Sequence, residues 1–106
     1  MITVNEGSQI TVTASPRDEN NLEIVPTAMR YRIDCLTTGK EVLGYTSIAA
    51  PAVENDIVVP GALNAIVYNS SPRERKQMTV ETTSGTAVRN DTVDWEVRNI
   101  YGVRSA

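Results

Sequence analysis

The chain contains no histidine and one cysteine, Cys35, which narrows the chemistry open to it. Ser/His/Asp and Cys/His machinery needs an imidazole to take the nucleophile's proton, and zinc centres need several His or Cys ligands. No GxxxxGK[ST] or GxGxxG run occurs, and the glycines fall singly at turns. Carboxylate pairs remain. Asp18/Glu19, Glu54/Asp56 and Asp91/Asp94 are the candidates for a glycosidase-type acid and base, which need a set separation across a sugar cleft. All three fall in or beside expected turns, where Asp is favoured because it bonds its own backbone. Asp18-Glu19-Asn20-Asn21, with Asn90-Asp91 from a second loop, offers oxygen ligands of the kind calcium takes, but in no EF-hand spacing. The residues point to turn chemistry: no metal, no cofactor and no enzyme.

Two other features could contact a partner. Arg73-Glu74-Arg75-Lys76 is the one local basic cluster, following the loop-like Asn69-Ser70-Ser71-Pro72. Its arginines could reach a neighbour's carboxylates in bidentate fashion, or the cluster is a solvated strand entrance guarding an edge. The termini carry apolar arms, with Ile2 and Val4 at one end and Ile100, Tyr101 and Val103 at the other. Either arm can extend a sheet edge across a subunit boundary. The candidate subunit-interface residues are therefore Ile2, Val4, Arg73, Arg75, Lys76, Ile100, Tyr101 and Val103.

The elements that must position these residues are strands. Period-2 alternation recurs: Ile10, Val12 and Ala14; then Met29, Tyr31, Ile33 and Cys35 against outward Arg30, Arg32 and Asp34. Thr38-Gly39 turns the chain into Val42–Ile48 as a hairpin, and Asp56–Val59 is a further short strand. Met78, Val80 and Thr82 alternate up to Ser84-Gly85, and Val93, Trp95 and Val97 alternate in the last run, with Trp95 as a core anchor. Asp18–Asn21 turns into a short strand at Leu22 and Ile24, and Leu63, Ile66 and Val67 fit one helical turn beneath the sheets. Cys35, in the inward row, is expected buried and inert.

About seven short strands with regular turn signals predict one all-β domain over residues 1–106, an immunoglobulin- or fibronectin-III-like antiparallel sandwich with Greek-key connections. Taken in order, the third, sixth and seventh strands become neighbours. Their outward faces carry Arg30, Arg32 and Asp34, then Gln77, Thr79 and Glu81, then Asp94, Glu96 and Arg98. At 106 residues, 41% apolar and 22% charged, the chain can bury a core without a disulfide. A net charge of −3 gives no footprint for nucleic acid, and no apolar run is long enough to span a bilayer. MITVNEGSQ lacks the regions of a signal peptide, so folding in a reducing cytoplasm is expected.

The stretches PTAMRYRIDCLTTGKEVLGYTSI (26–48), 55–67, ERKQMTVETTSG (74–85) and VDWEVRNIYGV (93–103) resemble small Ig-like structural proteins of tailed bacteriophage virions. The resemblance rests on the YRID strand with its TG hairpin, Leu63-Asn64-Ala65, the ER…TVE strand and the closing V-x-N-aliphatic-x-G-V. Cys35 and the ERK cluster lie outside it. It implies a head-decorating, neck or tail-associated virion protein made in the host cytoplasm. Such a protein docks on other virion subunits through edges and termini, in a homo-oligomer or symmetric array. The alternative is an Ig-like module for a host-surface glycan or protein, which exposed aromatic rings would favour.

Overall fold

Alternating apolar residues leave each strand one face to bury, and two sheets solve this by packing those faces together. The computed structural model describes residues 2–18, 20–68 and 71–100. Seven strands are formed: β1 (Ile2–Asn5), β2 (Ile10–Ala14), β3 (Ala28–Cys35), β4 (Glu41–Ser47), β5 (Asn55–Val59), β6 (Arg73–Ser84) and β7 (Ala87–Arg98). They make a five-stranded sheet in the order β1-β7-β6-β3-β4 and a two-stranded sheet of β2 and β5. Met29, Ile33, Met78, Val80, Trp95 and Val97 from the large sheet meet Ile57 and Val59 from the small one, with Ile10, Val12 and Ala14 packed alongside. The expected all-β sandwich, with β3, β6 and β7 adjacent, is the observed architecture.

Three expectations need correction. Leu22–Ile24 is not a strand: Arg17 and Glu23 make an isolated bridge, and Leu22 is exposed. The Asp18 carboxylate accepts from the amides of Asn20 (2.8 Å) and Leu22 (3.0 Å), and Asn21 takes φ 61°. Local turn bonding thus replaces a ladder here. The seventh strand is instead β1, which runs parallel to β7 in an otherwise antiparallel sheet. Asn90-Asp91 is not a loop. The β6–β7 ladder runs unbroken from Arg73↔Arg98 to Ser84↔Ala87, closed by Gly85 and Thr86. The positive φ of 64° falls at Gly85 alone, the pattern of a type II′ turn, whose twist matches the strands.

The expected helical turn is a 3-10 turn at Gly61–Asn64, with Ile66 buried just beyond it. It packs against the loop after β1. Gly7 (φ 78°) donates its amide to the Asn64 carbonyl at 3.0 Å, and Gly61 lies so close that a Cβ there would collide with the Gly7 carbonyl oxygen. Asn64 itself is fully buried. Its amide nitrogen donates to the Ser8 carbonyl (2.7 Å), and its Oδ1 accepts the Trp95 indole N–H (2.7 Å). One side chain therefore ties the β1–β2 loop, the crossover from β5 to β6 and the core tryptophan together, and leaves none of its buried polar atoms unpaired.

Candidate interaction surfaces

The outer face of the large sheet holds the charged rows expected from the sequence, and all of their charges except Arg98 are paired with neighbours on that face. Arg30 makes a two-pronged bond to Glu81 on β6 (2.9 and 3.0 Å), and its guanidinium lies 3.9 Å from the Tyr45 ring centre on β4. Arg32 grips Asp34 (2.9 and 2.7 Å) and lies 3.5 Å from Glu41. Gln77 donates to Asp94 (2.9 Å), which also faces Arg75 at 3.4 Å. The hydrogen bond to Glu81 is the main reason Arg30 is held above its ordinary value, with Asp34 doing the same for Arg32. Exposed pairs of this kind add little to stability, but they leave no unmatched charge block on the face.

The basic cluster is split by the pleat. Arg73 and Arg75 point outward, Arg73 reaching Glu96 at 3.4 Å, whereas Glu74 and Lys76 point inward and are essentially inaccessible, 1% and 0% exposed. The expected exposed patch is thus two arginines, and Lys76 cannot offer its ammonium to a neighbour's surface. Lys76 Nζ lies 3.2 Å from Glu74, which also accepts the amides of Val67 (2.7 Å) and Tyr68 (2.8 Å) and faces the Cys35 thiol at 3.7 Å. Burial alone would push the Glu74 carboxyl up. The Val67 and Tyr68 amides, then Lys76, outweigh it and hold the group below its ordinary 4.5. Cys35 is fully buried, as its phase predicts.

The terminal residues divide in the same way. Val4, paired with Val97, is half-buried against the core, while Ile2 is 69% exposed on the same strand. The Ile100 amide donates to Glu6 Oε1 at 3.1 Å, which fastens the end of the described chain to the β1–β2 loop. Tyr101 and Val103 lie outside the described residues. Glu19 of the first carboxylate pair does too, while Asp56 accepts the Thr13 hydroxyl at 2.8 Å and Asp91 lies 3.3 Å from Arg89. No described group of three or more Cys, Asp or Glu is arranged to hold a metal ion.

The edges of the sheets are unequal. β4 shifts register twice against β3, between Tyr31/Ile33 and Ile33/Asp34, so bulges roughen that edge. β1 covers β7 only from Trp95 to Arg98. The opposite half of β7 lines an open seam with the end of β2, where Arg89, Asp91 and Val93 face Val12, Ala14 and Pro16 above Met29 and Val80. Sequence reasoning missed this half-strand because Asn90-Asp91 reads locally as a turn. It also missed the Glu74–Lys76 pair because charge masks an inward phase. Counting back in twos from Met78 reaches both Lys76 and Glu74. No protein-family model matches the chain, and neither does any curated protein or solved structure.

Proposed function

We propose that this chain is a non-enzymatic, Ig-like docking module that serves as a structural subunit of a bacteriophage virion. The observation that carries the docking part is the contrast between the outer face, whose charges apart from Arg98 are consumed in mutual pairs, and the sheet rim, where backbone and apolar side chains are open. Ile2 on β1 and Val88 on β7 are each more than half exposed along that rim. An array protein needs such edges and needs its broad faces unsticky. The virion setting is taken from the sequence resemblance.

The strand order supports the finer fold reading. On this reading β2 and β5 would take the B and E positions of an immunoglobulin sandwich and β3, β6 and β7 those of C, F and G, with β4 beside β3 as an added strand of the variable type. Two departures go with it. The buried tryptophan, Trp95, is on the last strand, and the one cysteine has no partner. A glycan-binding role has less support: Trp95 is 2% exposed and one face of Tyr45 is covered by Arg30.

Quantitative mass spectrometry of purified particles tests this reading. Hundreds of copies mark a head-decorating protein, and about six or twelve mark a ring at the neck or tail, as closed rotational symmetry requires. No copies in particles, with binding on a glycan array, would move the chain to a host-surface role.

A further inference from the structure

We infer that the first half of β7, Ala87–Val93, pairs with the same segment of a second copy of the chain, antiparallel about a two-fold axis through Asn90. The two large sheets would then fuse into one. This deepens the docking reading above and rests on it for its setting, naming the partner and the edge.

The edge is available. Among the described residues no strand lies against β7 before Trp95, and every residue from Ser84 to Val93 is exposed, including Val88 at 58% and Val93 at 38%. The other long edge, β4, is broken by its register shifts.

Backbone geometry then sets the phase. In a hairpin with a two-residue turn, the closing pair, here Ser84 and Ala87, exchanges both hydrogen bonds. Alternation from that pair aims the N–H and C=O groups of Val88, Asn90 and Thr92 away from β6, toward any added strand. A two-fold axis normal to the sheet places one residue opposite itself. Through Asn90 it joins Asn90 to its copy and Val88 to Thr92, for about six backbone bonds.

The side chains choose the same axis. Reading outward from Asn90, Arg89 falls opposite the second copy's Asp91, and Ala87 opposite its Val93. Cation meets anion and apolar meets apolar, in both directions at once. An axis through Arg89 or Asp91 would instead oppose like charges. Arg89 and Asp91 already lie 3.3 Å apart on one face, with side chains 56% and 62% exposed, so pairing would close four charges into an alternating ring. Seven residues of edge bury less than the roughly 1,600 Å² of a standard interface, so the free dimer is weak and gains from repetition in an array.

Charged inward-phase residues on an edge can also act as guards against strand addition, and the test separates the two roles. Sedimentation equilibrium of the full chain over a wide concentration range should show a reversible monomer–dimer equilibrium. Arg89→Asp or Asp91→Arg should each weaken it about tenfold or more, and the double exchange should restore it to within a few-fold. Asn90→Pro removes an outward donor without touching the β6 ladder, and should abolish the dimer while circular dichroism stays that of the folded chain. A monomer at every concentration overturns the inference. So does a dimer indifferent to the single reversals, or one the double exchange does not restore. A dimer found for a chain absent from particles leaves this inference standing and removes the virion reading; a monomer counted in particles does the reverse.

Discussion

Glu74 and Lys76 sit two apart on the inner face of β6, where the neighbouring residues of that face are Met78 and Val80. A buried ion pair is tolerated only when its remaining bonding capacity is met, and Glu74 has the Val67 and Tyr68 amides for that purpose. Glu74→Gln should therefore cost about 3–5 kcal/mol, because it strands a buried ammonium and aims an amide N–H₂ at backbone donors. Lys76→Met should cost clearly less, since the carboxylate keeps its two amides; equal losses in urea titration would contradict this assignment. Because the folded-state value of Glu74 is depressed, the unfolded chain takes up the proton first. Its stabilisation is complete above about 4.5 and drains as pH falls from there through the lower folded value. The stability gap between the wild type and Glu74→Gln should narrow across that window. At Trp95, truncation to alanine removes the largest fully buried side chain and leaves Asn64 Oδ1 without its donor. A loss of about 3–5 kcal/mol is expected, measured by chemical denaturation.

At the scale of elements, the loop Glu6–Ser8 and the 3-10 turn Gly61–Asn64 are fitted to each other by close backbone approach at Gly7 and Gly61, with the Asn64 side chain bonded to the Ser8 carbonyl beside it. Gly61→Ala forces the two apart and should destabilise by roughly 1–3 kcal/mol, read as a lowered thermal midpoint. The effect should propagate to β1, whose four residues are held between Glu6 and the edge of β7. Faster amide exchange at Thr3 and Val4 in the variant would report it. The strands themselves were legible where polar and apolar residues alternate, as in Met29–Cys35 and Met78–Thr82. They were not legible at Glu74–Lys76 or Val88–Thr92. There the strand is imposed by twelve residues of pairing to a neighbour, and local residue preference gives way to the ladder.

For the whole molecule, the parallel docking of β1 on β7 brings the start of the chain beside the end of its last strand, and Ile100 is tied to Glu6 there. The Glu6–Ile100 junction thus lies at one end of the large sheet, while the open half of β7 lies at the other. Removing residues 101–106 should leave the thermal midpoint within a few degrees of wild type and lower incorporation into particles. Unchanged incorporation would refute a role for Tyr101 and Val103 in assembly. The two ends differ along the 52 Å length of the molecule: one is closed by β1 and the Glu6–Ile100 bond, the other leaves the β7 edge open.

The sequence by itself determined the class of the fold and the inner faces of β2, β3 and the ends of β6 and β7, because alternation is a local property written residue by residue. It determined the burial of Cys35 and Trp95 for the same reason. Only the tertiary structure decided that β1 runs parallel to β7, that two charges face inward on β6, and that Asn90-Asp91 lies in a strand. Each of these depends on which partner lies alongside, through register, shared hydrogen bonds and desolvation, and no stretch of chain carries that information alone. The absence of histidine narrowed the chemistry from the start, whereas the open edge of β7 became readable only in the tertiary structure.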